Sequence, residues 1–577
     1  MRPGAAAQGA DGSSAFATYQ NPVYRHSFPD PFVLRYGGEY YAYATGSDED
    51  GIFRILMSDN LVNWRDAGHA IALPQAPAMH YWAPEVIYAE GKFYLYYSVG
   101  NEILMELRVA VSESATGPFM DAGVKLTEQD FAIDPHVFID HRGTRWMFYA
   151  TDFLAHTHIG TGTVIDRMVN WFKLEGKPRP VTRAKFDWQI YDPARKEKGG
   201  VRWHTVEGPA VIGRKGVYFE MFSGGNWKEP TYGVSFAVTD DLNTRDEWIQ
   251  SADGTNVLPI IRTSSEVVGP GHNSIVRGPN GRELYCVYHR WTDAGRVMAI
   301  DRMDIVSRRI YVVGPTTTQQ PVPFAAQDIP EDLPSSSLIE FLAKTKGKVR
   351  LLGVSGNELC SFKTTATREY RIEIDGRWHA VVADGWEIVV SGYLSQRPAK
   401  LDADGENDHA RMTPGFEDLF DREDIGKSDW RIITGTACDE RDKQLFLTAG
   451  AATGGIGREQ LFDEIEFVVN ARCDTTDVGS AFGLGLYDTI GEPALSLLIS
   501  RDGIDMIGES EAAFPLPPSW ALTDYHSYRV VTNEGRAYLW LEQYFLGEVR
   551  IASGPYCPAV LAENTSVALD MVRATGI

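Results

Sequence analysis

Residues 30–45 read DPFVLRYGGEYYAYAT: an apolar run, a Gly-Gly turn, then an aromatic-rich run. Each run has the length and residue types of a strand, and the glycines supply the backbone freedom of a tight turn. The stretch therefore reads as a β-hairpin. It returns as APEVIYAEGKFYLYYS at 83–98, DPHVFIDHRGTRWMFYAT at 134–151 and GPAVIGRKGVYFEMFSGG at 208–225. A fifth, weaker copy is NSIVRGPNGRELYCVYHR at 273–290. The first three copies recur about every 50 residues, and longer insertions precede the last two. Polar segments such as MSDNLVNWRDAG (57–68) and AVTDDLNTRDEW (237–248) read as outer strands of the same sheets. Four strands per unit at this period is the signature of a β-propeller, and a β-sandwich does not explain so regular a motif.

Working outward, the 577 residues suit roughly two to four domains. The expected fold is all-β. A flexible tail spans 1–20, a five-bladed β-propeller 21–325, and a Pro/Ser-rich linker 326–337. Residues 338–412 read as a small β module or as part of the C-terminal sandwich, with KVRLLGV, YRIEIDG, WHAVVADG and WEIVVSG as short strands. That jelly-roll-like β-sandwich spans 413–577.

A net charge of −23 and the lack of a basic stripe argue against nucleic acid as a partner. No apolar run reaches membrane-spanning length. Five scattered cysteines, Cys286, Cys360, Cys438, Cys473 and Cys557, have neither disulfide-framework nor zinc spacing. The first residues, MRPGAAAQGADGSSAF, lack a signal peptide's apolar segment, so a cytoplasmic protein is expected. A trimmed or processed start would instead suit a secreted or periplasmic one.

In a propeller the first strand of each unit is innermost, so its starting residue lies near the axis. Aligning the copies places Asp30, Ala83, Asp134, Gly208 and Asn273 together, with Glu207 and His272 one residue earlier in their units. A lone Asp at a strand start is ordinarily a turn residue. Three acids aimed at one axis repel, which folding alone does not reward, so they mark a functional site. Inverting glycoside hydrolysis needs such a set: one protonated carboxyl for the leaving oxygen and one ionised carboxylate for the attacking water. A third acid can raise the first one's pKa and orient the sugar.

FPDPF at Asp30, AIDPHV at Asp134 and TVEGPAV at Glu207 resemble glycoside hydrolase family 43. So do YWAPEV at Trp82–Val86, GPGHNSIV around His272 and the closing GPTTTQQPVP, all in the family's order over about residues 21–325. The resemblance implies that Asp30 is the general base, Asp134 the pKa modulator and orienter, and Glu207 the general acid. It matches His272 to an axial histidine beside a structural water or calcium ion, and Arg296 to a sugar-binding arginine. No cofactor is otherwise required. Trp82, Glu85, His26, Trp203 and Trp227 are further pocket candidates near the motifs. The insertion WQIYDPARKEKGGVRWH, 188–204, reads as a pocket rim, a leaving-group site or a solvated loop. The C-terminal region resembles the concanavalin-like sandwich of many family members.

The expected activity is exo-acting cleavage of arabinose- or xylose-containing oligosaccharides, as an α-L-arabinofuranosidase, a β-D-xylosidase or both. Endo-arabinanase and galactan-cleaving activities are alternatives. The related retaining propellers that split fructosides carry NDPNG and RDP motifs, which are absent here. A non-catalytic sugar-binding propeller is a reading of another class, and the presence of all three acids speaks against it.

Overall fold

In the computed structural model the chain is described over 17–323, less 37–38, 73–79, 90–91, 141–143, 215, 251–257, 280–282 and 307. Between 336 and 418 only strand backbones are described. The described C-terminal part comprises 420, 430–433, 436–441, 444–449, 454–458, 461–473, 480–488, 491–516, 521–541 and 544–576. Most of the expected tail, and the expected linker up to residue 335, lie outside the described residues.

Five antiparallel sheets follow one another, each opening on one of the repeated hairpins. Blade I opens with Phe32–Tyr36, blade II with His80–Ala89, blade III with Ala132–Ile139, blade IV with Val206–Arg214 and blade V with Val268–Arg277. These opening strands lie against one another in order, and the fifth lies against the first, so the ring closes. The alternating apolar residues explain the closure. Every junction between neighbouring blades holds its own hydrophobic cluster. Tyr43 and Leu95 lie at the junction of blades I and II, Tyr96 and Tyr149 at II and III, and Phe148 and Phe222 at III and IV. Phe219 and Tyr288 join blades IV and V, and Tyr40 and Val287 join V and I. Burying one such side chain contributes about 1.5–3 kcal/mol, so a large aromatic at each junction is an effective ring-closing device.

The last blade borrows its outer strand from the start of the chain. Tyr24–Ser27 pairs with Gly295–Val306, and Thr18–Tyr19 pairs with Gln320–Pro321. The Asn21 side chain reinforces the latch: Nδ2 donates to Ile300 O (2.7 Å) and Oδ1 accepts from Ile300 N (3.0 Å).

Strands Ser336–Ala343, Lys348–Leu352, Glu358–Lys363, Arg368–Ala383 and Trp386–Leu394 form a sheet of their own. YRIEIDG and the first six residues of WHAVVADG, expected as separate strands, lie within the single strand Arg368–Ala383. Eight- and seven-stranded sheets then enclose one apolar core, including Phe467, Leu484, Leu497 and Leu569. Among the described residues no helix is long and apolar enough to cross a membrane. Cys286 is a buried free thiol.

The larger sheet of this sandwich presents charged side chains to blade V. Arg529 lies 2.6 Å from Glu466 and 3.8 Å from Glu283, while Arg573 lies 3.9 Å from Glu283 and 3.8 Å from Asp304. Ser527 Oγ donates to Asp304, and Arg302 donates to Ser527. All these charged groups are buried. Removing one partner leaves a buried charge uncompensated, which costs about 3–5 kcal/mol. Arg529→Leu is therefore expected to lower the unfolding free energy by about that amount. Urea denaturation checks it, and a variant within about 1 kcal/mol of the parent would remove the network from the stability of this junction.

Candidate active site

The backbone prepares the site before any acid is considered. The innermost strand of blade II jumps register between Trp82 and Glu85, and those of blades III, IV and V do so at Ile133/His136, Glu207/Ala210 and Gly271/Ser274. In blade I the same geometry appears where Thr45 N donates to Pro29 O, ahead of the Phe32–Tyr43 pair. Each bulge holds one residue at positive φ: Asp30 (52°), Ala83 (44°), Asp134 (59°), Gly208 (59°) and His272 (47°). The fifth equivalent is thus His272, not Asn273 as the aligned repeats suggest. Asn273 stands where the other four copies have Pro31, Pro84, Pro135 and Pro209. A bulge re-aims the chain and its side chains at a sheet end, here toward the propeller axis.

A left-handed conformation costs a non-glycine residue about 1–2 kcal/mol. A hydrogen bond from the neighbouring blade offsets it each time. Ala83 N donates to Thr45 Oγ1 (2.8 Å), Asp134 N to Ser98 Oγ (2.9 Å) and His272 N to Ser223 Oγ (2.7 Å). Asp30 N lies 3.2 Å from His289 Nδ1. These four acceptors occupy one position on the second strand of their blades. In blade III that position is Ala150, opposite Ile133, and it has no acceptor. Gly208 N donates instead to the Asp134 carboxylate, Oδ2, at 3.0 Å. Asp134 therefore anchors the residue next to Glu207. Gly208 is itself required, because a Cβ there would stand 3.3 Å from the His272 ring on a left-handed backbone.

The three acids differ in surroundings. Asp30 is buried, and Arg296 Nη1 donates to its Oδ1 at 2.7 Å. His289 Nδ1 lies 3.2 Å and His272 Nδ1 3.6 Å from the same oxygen. Burial opposes ionisation of Asp30, but the Arg296 guanidinium outweighs it and holds the carboxyl well below the usual carboxylate range. Glu207 is partly exposed and takes a 2.8 Å hydrogen bond on Oε1 from Tyr232. Burial, relieved in part by Tyr232 and reinforced by the Asp30 charge, raises Glu207 to about 7. Asp134 is raised well above the usual range by burial and then by the charges of Glu207 and Asp30. One carboxylate is therefore firmly ionised, while the other two resist carrying two charges together. This is the division of labour that acid–base chemistry on one bond requires.

The softer candidates separate clearly. Arg296 sits against Asp30, with its guanidinium 4.5 Å from the centroid of Trp227, and Trp227 stacks on Trp291 (6.0 Å, 10°). Trp82 is half-buried beside Phe131 and Ile133, at the mouth of blade III's inner strand. Glu85 is engaged: its Oε2 receives the 2.8 Å bond of His136 Nδ1, whose Nε2 accepts from Val211 N (3.0 Å). That makes it a strut across three blades rather than a free sugar ligand. His26 is exposed on the outermost strand of blade V and packs edge-on to Tyr24. Trp203 is 0% exposed and offers no face to a sugar. It lies under Arg195 and Lys198, each about 5 Å away.

Those cations belong to the insertion, which forms a hairpin, Ile190–Arg195 with Val201–His204. The hairpin joins blade III through Gly160 and His204, and Lys198 pairs with Asp152 at 2.6 Å. It is a wall folded onto the mouth of blade III, not a solvated loop.

Calcium takes six to eight oxygen ligands. His272 offers one ring nitrogen, and its acidic neighbour Asp30 is committed to Arg296. Among the described residues no three His, Cys, Asp or Glu side chains cluster as metal ligands. This donor set does not fit a protein-built calcium cage, and no catalytic step is assigned to one.

Two residues of the site lie outside the sequence motifs, Tyr232 and His289. His289 is detectable, since it falls near the end of the fifth copy as Thr45, Ser98 and Ser223 fall at or near the end of theirs. Tyr232 lies between repeats and carries no signal.

The chain is similar in sequence to known proteins. A β-D-galactofuranosidase of Aspergillus niger is 26% identical over 310 residues, covering 49% of this chain and 81% of that protein. An extracellular exo-α-(1→5)-L-arabinofuranosidase of Streptomyces chartreusis is 27% identical over 290 residues, covering 47% and 82%. A crystal structure of a thermostable family-43 glycoside hydrolase is 31% identical and covers 53% of this chain and all of that one, with a TM-score of 0.47. Residues 19–327 match the profile of the glycosyl hydrolases family 43, and the chain belongs to that family.

Proposed function

We propose that this glycoside hydrolase releases terminal furanosyl residues, α-L-arabinofuranosyl first among them, by a single inverting displacement with Asp30 as base and Glu207 as acid. The observation that carries it is the contrast between the two carboxyls: Asp30 paired with Arg296, and Glu207 bonded to a neutral phenol and raised to about 7 by burial. Water held by Asp30 attacks the anomeric carbon as the bond to the leaving oxygen breaks. The Glu207 proton passes to that oxygen, and Asp30 takes the proton of the water. Asp134 anchors the Gly208 amide and so orients Glu207, and its proximity favours the protonated acid. The Arg296–Trp227 pair supplies a hydrogen-bonding and stacking wall for the sugar.

The relatives' names support the furanoside reading. α-L-arabinofuranose and β-D-galactofuranose share their ring configuration, so one pocket can accept either. Activity on β-D-xylosides is the second reading, motivated by the family resemblance of the motifs.

The test is hydrolysis of 4-nitrophenyl α-L-arabinofuranoside, β-D-galactofuranoside and β-D-xyloside, with the first-formed sugar followed by proton NMR. Release of the β-anomer from the α-L-arabinofuranoside is expected. Release of the α-anomer would turn Asp30 from base to nucleophile. Turnover of the xyloside alone would replace the furanoside reading.

A further inference from the structure

We propose that Tyr232 is a positioning residue for the acid: its phenol, bound to Glu207 Oε1, confines the catalytic proton to Oε2 and so sets the direction from which the leaving oxygen is protonated. The inference deepens the reading above and rests on Glu207 being the general acid.

The geometry leaves the phenol little freedom. The Tyr232 ring is 1% exposed and stacks on the His289 ring at 5.7 Å with an interplanar angle of 6°. On blade V it packs against Gly271, where a Cβ would stand only 2.1 Å from the ring. Any side chain at 271 would push the ring off Glu207, which explains a glycine inside that strand. His289 also touches Asp30, so the stack ties the acid's holder to the base's holder. Burial, and then the charges of Glu207 and Asp30, raise the phenol well above its ordinary value of 10, so it remains a donor throughout the working range. With Oε1 accepting that O–H, the acid proton resides on Oε2. After transfer, the same O–H bonds the Glu207 carboxylate, so nothing has to turn during the step.

The other groups facing Glu207 are Asp30 on blade I, Asp134 on blade III, Arg296 on blade V, and Arg195 and Tyr191 on the insertion hairpin. Among the described residues, Tyr232 is the side chain that donates a hydrogen bond to the Glu207 carboxyl. Phenylalanine at 232 keeps the ring and removes only the donor. The donor favours the ionised carboxyl, so its loss lets Glu207 hold its proton to higher pH.

The experiment compares the wild type, Tyr232→Phe and Glu207→Gln on 2,4-dinitrophenyl α-L-arabinofuranoside, which needs little protonation to leave, and on methyl α-L-arabinofuranoside, which needs full protonation. Tyr232→Phe is expected to lose at least about tenfold more kcat/KM on the methyl glycoside. The alkaline limb of its pH profile should rise by about one unit. Equal losses on both substrates with an unmoved limb would overturn the proposal. Should Tyr232→Phe fold poorly, 3,5-difluorotyrosine at 232 keeps the hydroxyl and makes it a stronger donor. The limb then moves down if the proposal holds, and stays in place if it is wrong. Glu207→Gln separates the two ideas. If it shows no leaving-group dependence, the acid assignment itself fails. If it shows that dependence while Tyr232→Phe does not, only the role of Tyr232 fails.

Discussion

Glu207→Gln lowers kcat/KM on an oligosaccharide by about 10²–10⁴-fold, because the amide has no proton to give the leaving oxygen. The loss shrinks as the leaving group improves. The alkaline limb associated with Glu207, whose pKa is raised to about 7, disappears from the pH profile. Folding is kept. Glu207 repels Asp134 and Asp30, so an amide relieves that repulsion, and the thermal midpoint stays level or rises. Measuring kcat/KM against pH alongside the midpoint checks all three. A near-normal rate on the oligosaccharide would take the acid's role away from Glu207.

Asp30→Asn is expected to cost about 10³–10⁴-fold, on good and poor leaving groups alike. The attacking water loses its base whichever group departs. This uniform loss distinguishes Asp30 from Glu207 in one assay. The variant also leaves the half-buried Arg296 guanidinium facing a neutral amide, where it had a carboxylate at 2.7 Å. Unlike Glu207→Gln, then, it is expected to lower the thermal midpoint. A loss confined to poor leaving groups would make Asp30 part of the acid's surroundings instead.

The propeller is legible in the sequence because each blade must bury the same alternating hairpin, and the repeat exposes that need at Asp30, Ala83, Asp134 and Gly208 alike. The acids are legible because they occupy, or adjoin, one position of that repeat. The fifth copy aligns one residue out of step because it lacks the proline that marks the others, which hides His272 behind Asn273. His26 and Trp203 show where sequence proximity misleads. Each lies four residues before a catalytic candidate, yet His26 closes the outside of the last blade and Trp203 is sealed beneath a hairpin. Tyr232 is invisible for the opposite reason: it reaches Glu207 from a connection that the repeat does not describe.

The five recurring bulges bear on how such a centre can change. Asp30, Asp134 and His272 occupy three of these left-handed positions, whereas Ala83 and Gly208 bring no functional group to theirs. Since the backbone is already shaped there, gaining or losing a reactive group at Asp30, Ala83, Asp134 or His272 replaces one side chain without rebuilding a loop, whereas the close His272 ring keeps position 208 to glycine.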